Sequence, residues 1–150
     1  ILDQKKISYI SHNYMNTGAV SGAEVAAALG ENPDMLFKTL VTVGKSGANY
    51  VFVIPVEKEL DLKKAARSVG EKSIEMIHQK ELLPLTGYIH GGCSPIGMKK
   101  QFVTIVDKSA EPLERMIFSA GKVGYQVEMS PEDLKKVIRV QMADITVSSL

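Results

Sequence analysis

Residues 37–56, which read FKTLVTVGKSGANYVFVIPV, decide the central part of this fold. Two apolar, β-branched runs, residues 37–43 and 50–56, flank the connection Gly44-Lys45-Ser46-Gly47-Ala48-Asn49. Side chains of this kind favour strands, and a short glycine-containing connection favours a tight reversal of the chain. The sequence therefore predicts a β-hairpin here.

Helical patterns lie on both sides of this hairpin. Ser21-Gly22-Ala23-Glu24 has the form of a capping box ahead of an apolar segment that ends at Gly30. After the hairpin, apolar residues recur at helical spacing and Gly70 follows them; they are Leu62, Ala65, Ala66 and Val69. This spacing predicts an amphipathic helix that ends at Gly70.

Further elements are predicted towards both ends of the chain. A short helix is expected at residues 79–83, before Pro84, and another over residues 134–138, with Ser130 as cap and Pro131 at its first position. Residues 1–15 predict a short helix leading into a strand-like stretch at residues 9–14, and further strands are expected at residues 101–107, 116–119 and 124–129.

Strands and helices alternate here without a strict βαβ rhythm. This order favours an α+β fold with a single mixed, largely antiparallel sheet, curved or barrel-like and flanked by helices. The length of 150 residues is typical of one domain, so residues 1–150 are expected to share one core.

Composition narrows the function classes. A formal charge of +1 gives no support from bulk charge for nucleic-acid binding, so any RNA contact must come from a local patch. No apolar run reaches the roughly 20 residues of a membrane helix, and the start at Ile1 lacks the apolar core of a signal peptide. We therefore expect a soluble cytoplasmic protein without membrane contact.

The inventory of metal ligands is small. Cys93 is the single cysteine, which excludes an internal disulfide and disfavours a thiolate zinc site. The three histidines, His12, His78 and His90, lack regular ligand spacing. We expect neither a metal nor a cofactor.

The loop Gly91-Gly92-Cys93-Ser94-Pro95-Ile96-Gly97 is the most informative local motif. Its glycines allow close backbone approach, so several N–H groups can converge as in an oxyanion hole; a tight surface turn has the same composition. It matches neither G-x-S-x-G nor a nucleotide-binding fingerprint. Ser94 could act as a nucleophile only with a base such as His90. Cys93 could serve as nucleophile or as apolar packing.

Several motifs together resemble the YbaK/EbsC family, relatives of the editing domain inserted in bacterial prolyl-tRNA synthetases. They are Phe37-Lys38-Thr39-Leu40, the loop at residues 91–97, Ser119-Ala120-Gly121 followed by Gly124, and Ser130-Pro131-Glu132-Asp133-Leu134. The resemblance spans most of the chain. It implies the fold of that family and hydrolysis of misacylated tRNA in trans, with Cys-tRNA(Pro) as the typical substrate, whereas the inserted relatives clear alanine.

The resemblance also implies roles for particular residues. Lys38 would be the residue most tied to activity, with the loop residues Gly92 and Gly97 as its catalytic partners. The substrate-binding positions implied are Phe37, Thr39, Gly91, Ser94, Ser119, Gly121 and Tyr14. His12 lies near Tyr14, and the choice between these two on the first strand stays open.

An aminoacyl ester is already activated, so positioning and charge stabilisation suffice without a catalytic triad. Lys38 would stabilise either the ester carbonyl or a terminal phosphate, and the thiol of the cysteine substrate would attack the ester. The expected partners are the 3′ end of aminoacyl-tRNA and prolyl-tRNA synthetase, and the lysines at 99, 100 and 122 could extend a basic track. The alternatives are a non-catalytic tRNA-binding or synthetase-associated module, an Ala-tRNA(Pro) deacylase, and a small-molecule esterase using Ser94 or Cys93.

Overall fold

The computed structural model describes residues 10–13, 35–88, 93–96, 98, 102–119 and 125–147. The helix predicted before Gly30 lies outside these residues, as does the helix predicted at the start of the chain. The strands are β1 (Ile10–Asn13), β2 (Phe37–Gly44), β3 (Asn49–Pro55), β4 (Ile74–Met76), β5 (Val103–Asp107), β6 (Met116–Ser119), β7 (Tyr125–Met129) and β8 (Val140–Ala143). The helices are α1 (Leu62–Val69), α2 (Gln79–Thr86) and α3 (Pro131–Val137), with a 3-10 turn at Lys108–Ala110.

The strands form a five-stranded sheet of order β4-β2-β3-β5-β8 and a three-stranded sheet of order β1-β7-β6. The β2–β3, β2–β4, β1–β7 and β6–β7 pairs are antiparallel, whereas β3–β5 and β5–β8 are parallel. The predicted α+β architecture with a mixed, largely antiparallel arrangement is therefore confirmed.

Where one sheet was predicted, the described strands divide into two. A parallel bridge between Leu36 and Ile117 links them at the start of β2. The other end of this edge of β2 is taken by β4, through the pairs from Thr42↔Met76 to Gly44↔Ile74. Since two partners share one edge of β2, the ladder from β6 does not continue along the strand.

The predicted hairpin is confirmed as β2 and β3. Their register runs from Phe37↔Pro55 to Val43↔Asn49. The Asn49 side-chain amide donates to the carbonyl of Thr42 at 3.1 Å, and Gly47 takes a positive φ of 92° that glycine adopts readily.

Both faces of the five-stranded sheet are buried. Val51 and Val53 of β3 belong to the larger apolar cluster, which also contains Cys93 and Phe118. Phe52 and Ile54 belong to a second cluster with Ala65 and Ala66 of α1. Successive residues of a strand point to opposite faces, and paired residues on neighbouring strands point to the same face. The division of β3 between the two clusters therefore identifies the face of each β2 residue as well.

The helix predictions are confirmed at α1 and α3 and need one correction at α2. Gly70 ends α1 in the left-handed conformation with φ 73°, and the Ser130 side chain accepts from the amide of Asp133 at 3.1 Å in α3. The helix expected to end before Pro84 instead includes it and ends at Gly87. Pro84 removes one amide donor, and the carbonyl it leaves is that of the exposed Lys80, which water can satisfy.

Candidate functional site

Lys38 is the second residue of β2 and lies just beyond the bridge between the two sheets. Its neighbours Phe37 and Val41 belong to the larger apolar cluster, whereas Leu40 packs on the second. Lys38 therefore faces the same way as Leu40 and as its cross-strand partner Ile54, and it is half-buried.

Ser119 occupies the position on β6 that corresponds to Lys38 on β2. The parallel bridge pairs Leu36 with Ile117, and continuing this register by two residues along each strand brings Lys38 level with Ser119. They also share a face, because the flanking residues Phe37 and Phe118 both belong to the larger apolar cluster on the opposite side. The lysine and the serine predicted for the site thus lie next to each other across the sheet junction.

Gln126 of β7 extends this arrangement by one strand. It is paired directly with Ser119, and its backbone is paired with that of His12 on β1. Adjacent strands lie about 4.8 Å apart, which places the backbones of Lys38 and Gln126 about 10 Å from each other. We call Lys38, Ser119 and Gln126 the polar row.

The Gln126 side chain is only 7% exposed. Its Oε1 atom is buried and has no hydrogen-bond donor within the described part of the chain. Thr39 Oγ1 is also buried and has no hydrogen-bond partner within the described part of the chain. Alternation along β2, however, places Thr39 on the face opposite the polar row. A buried acceptor without a donor costs about 1–3 kcal/mol, so Gln126 needs an explanation.

The glycine loop is described from Cys93 to Ile96. The Tyr88 hydroxyl donates to the Ile96 carbonyl at 2.5 Å, and the Ile96 amide donates to Ser94 Oγ at 3.2 Å. Thr86 at the end of α2 accepts from the Tyr88 amide at 3.0 Å. These contacts fasten the loop to the C-terminal end of α2.

Burial controls the reactivity of this loop. Ser94 is 3% exposed and Cys93 is 8% exposed. Desolvation raises the pKa of the Cys93 thiol to about 11, and a hydrogen bond with Thr86 offsets only part of this effect. Burial also raises the pKa of Tyr88, and the neighbouring Cys93 thiol adds to the shift. Both groups are therefore neutral near pH 7.

Comparison with known proteins identifies the chain. The family model for the aminoacyl-tRNA editing domain matches residues 17–137, which include the whole polar row. The chain belongs to the aminoacyl-tRNA editing domain family.

Relatives of this editing domain support the assignment. The chain is 45% identical over 147 residues to EbsC of Enterococcus faecalis, whose name proposes it as a Cys-tRNA(Pro)/Cys-tRNA(Cys) deacylase; the match covers 97% of this chain and 90% of EbsC. It is 30% identical over 102 residues to the proline–tRNA ligase of Shouchella clausii, covering 68% of this chain and 18% of the ligase. The structure of a protein proposed as a trans-editing enzyme for prolyl tRNA synthetase has a TM-score of 0.85 and 25% identity, over 98% of this chain and 92% of that one.

The editing domain brings some of the predicted site residues together and separates others. Lys38 and Ser119 share a face, whereas Phe37 and Thr39 point to the reverse face of β2. Ser94 lies in the described part of the loop. Other predicted positions lie outside the described residues, and they are Tyr14, Gly91, Gly92, Gly97 and Gly121.

Gln126 was missed by the sequence analysis. Residues 125–129 read YQVEM, in which polar residues alternate with apolar ones, and this pattern is typical of a half-buried strand. The pattern indicates a polar face, but only the register with Ser119 places Gln126 in the polar row. Within the described residues, no helix has the length and apolar character needed to cross a bilayer.

Proposed function

We propose that this editing domain acts in trans on Cys-tRNA(Pro), releasing the tRNA from its wrong amino acid. The observation that carries the proposal is the juxtaposition of Lys38 and Ser119 on one face at the sheet junction. A half-buried ammonium beside a small hydroxyl leaves room for an ester group and supplies charge where an oxyanion develops. The name of EbsC supports cysteine as the amino acid and tRNA(Pro) as one of the carriers.

In the proposed mechanism, the thiol sulfur of the cysteinyl group attacks its own ester carbonyl carbon. The bond from that carbon to the ribose 3′ oxygen breaks, and the thiol proton ends on this oxygen. The products are a four-membered cysteine thiolactone and tRNA with a free 3′ hydroxyl. The Lys38 ammonium stabilises the oxyanion. Gly92 and Gly97 are the positions proposed for further backbone N–H donors, which would reach this group from the loop at residues 91–97, whose Cys93 and Ile96 pack in the larger apolar cluster on the face opposite Lys38.

The protein's own nucleophiles fit this scheme better than a covalent one. The buried Cys93 thiol has a pKa of about 11, so it supplies almost no thiolate near pH 7. The Ser94 hydroxyl is buried and already accepts from the Ile96 amide. These two observations disfavour the small-molecule esterase that would use either residue as a nucleophile.

Under this proposal, the cyclisation step itself explains why cysteine is removed in preference to alanine. A pocket that separates cysteine from alanine by one small group gains only about 1–3 kcal/mol, whereas alanine has no thiol with which to cyclise. Recognition of the tRNA would come from prolyl-tRNA synthetase acting as a partner in the cytoplasm. The match to part of a proline–tRNA ligase supports this pairing. We further propose that the two bridged sheets curve together as one barrel-like wall around the aminoacyl group.

The test is single-turnover deacylation of cysteinyl-, seryl- and alanyl-tRNA(Pro), with the released product identified by mass spectrometry. We expect rapid loss of cysteine alone, released as the thiolactone. Equal rates with serine or alanine would overturn the thiol-assisted mechanism. Loss of alanine alone would favour the Ala-tRNA(Pro) alternative, and binding of tRNA without any deacylation would favour the non-catalytic module.

A further inference from the structure

We propose that the side-chain carbonyl of Gln126 accepts a hydrogen bond from the free α-ammonium group of the aminoacyl ester, so that the enzyme reads whether the amino group is free. This inference rests on the proposed function and deepens it. It concerns recognition of the substrate's amino group and not the bond-breaking step, so Gln126 is a specificity-determining residue.

The first observation is the unpaired acceptor. Gln126 is more than nine-tenths buried, and its Oε1 atom has no donor in the described part of the protein. Buried acceptors are nearly always paired, by protein, by water or by a ligand. Rotation about the soft terminal torsion exchanges the amide oxygen and nitrogen, and the proposed contact uses the rotamer that directs the oxygen along the polar row.

The second observation is the position of Gln126 relative to Lys38. The two residues occupy the ends of the polar row, and Ser119 lies between them on the same face. Ser119 has the shortest side chain of the row, and the two longer side chains on either side of it have backbones about 10 Å apart. This separation suits an aminoacyl ester lying between the two ends.

Electrostatics then fixes the direction in which the ester lies. The Lys38 ammonium attracts the carbonyl oxygen and repels the α-ammonium, since like charges disfavour a shared site. The α-ammonium is therefore directed towards the other end of the row, where Gln126 offers a neutral acceptor.

Charge also favours the ammonium over the substrate's other donors. A hydrogen bond with an ionised partner is about twice as strong as one between neutral groups. A thiol is a weak donor, and a ribose hydroxyl is neutral. An N-acylated ester has an amide N–H and an added acyl group in place of the ammonium. The site is thus expected to spare aminoacyl-tRNA whose amino group is blocked.

The experiment compares Cys-tRNA(Pro) with N-acetyl-Cys-tRNA(Pro) in single-turnover deacylation. Each rate is divided by the spontaneous hydrolysis rate of the same ester, because acetylation alters its intrinsic reactivity. The enzymes are wild type, Gln126→Met, Gln126→Glu and Gln141→Met, a matched control at an exposed glutamine of β8. A melting curve accompanies each variant.

We expect wild type and Gln141→Met to prefer the free amine roughly 10- to 100-fold. Gln126→Met should lose most of this preference by slowing on the free-amine substrate, with an unchanged or higher Tm because an unpaired acceptor has been removed. Gln126→Glu keeps an acceptor and should retain the preference.

Three results would overturn the inference. They are equal normalised wild-type rates on the two esters, a preference that survives in Gln126→Met, and an equal loss of preference in Gln126→Met and Gln126→Glu. Failure of the proposed function itself is distinguishable, because wild type would then leave Cys-tRNA(Pro) intact.

Discussion

The polar groups near the two ends of β2 differ in their hydrogen bonding: those at one end are paired, and one at the other end is not. At the hairpin end, the Glu71 carboxylate accepts hydrogen bonds from the Ser46 hydroxyl at 2.5 Å, the Ser46 amide at 3.2 Å and the Tyr50 hydroxyl at 2.6 Å. At the other end, the polar row contains a buried acceptor with no donor among the described residues. A fully paired cluster holds a fold together, whereas a buried unpaired acceptor calls for an explanation, and at Gln126 we propose a ligand.

The largest effect on the deacylation rate is expected when the polar row is broken at Lys38. Lys38→Ala should lower the single-turnover deacylation rate of Cys-tRNA(Pro) by about 100-fold or more, because the oxyanion loses its cation. Its free energy of unfolding should change by less than about 0.5 kcal/mol, as for other partly exposed positions. Lys45→Ala at the exposed hairpin tip is the matched control, and an equal loss there would contradict the division between the two ends.

A smaller effect is expected at the loop. Tyr88→Phe removes the hydrogen bond to the Ile96 carbonyl and should cost about 1 kcal/mol in unfolding free energy, measured by urea denaturation. Deacylation should slow roughly three- to tenfold, because the loop that supplies the oxyanion donors in the proposed mechanism would be less well fixed. An unchanged deacylation rate in the destabilised variant would show that this loop does not contribute to the reaction.

At the hairpin end, stability should change without any change in rate. Hydrogen bonds from Ser46 and Tyr50 lower the pKa of Glu71 below its usual value of 4.5, so its contribution to stability is present above that pH and is lost as the pH falls through the folded-state pKa. Glu71→Gln should thus unfold more easily than wild type at pH 7, and the difference should shrink below about pH 4.5. Glu75→Gln, at an exposed position of β4, should show no such pH dependence.

The smallest effect is expected at Cys93. Cys93→Ala should keep the deacylation rate within about twofold, with a loss of roughly 1 kcal/mol in stability from reduced core packing. Alkylation of the wild-type thiol by iodoacetamide at pH 7 should be slow, because burial raises its pKa to about 11. A variant that folds but is inactive would restore the cysteine-nucleophile alternative.

Local patterns predicted the hairpin, α1 and β6 because their signals lie within a few neighbouring residues. The β4 and β8 strands were missed for the opposite reason. They read IEM and VQMA, without the continuous apolar run that marks β6, and become strands by pairing with β2 and β5. The division into two sheets was missed because it depends on which strands pair with the edge of β2 that lies away from β3.

The candidate site shows the same limit. Lys38 and Ser119 were predicted through the family resemblance, and the structure brings them together across 81 residues of sequence. Gln126 carries no motif of its own, so its place beside Ser119 comes only from strand register. Alternation along β2 points Phe37 and Thr39 to the face opposite Lys38, because adjacent positions of a strand point to opposite faces, and their predicted substrate-binding roles stay predictions.

The bridge between Leu36 and Ile117 has one further consequence. Beyond it, the spacing between Lys38 and Ser119 depends on what fills the reverse side of the junction, where Phe37, Met116 and Phe118 are packed. A larger or smaller side chain at any of these would move the two strands apart or together. Under the proposed function, substitutions at these packed positions would therefore change the size of the amino acid that the enzyme accepts without touching the substrate.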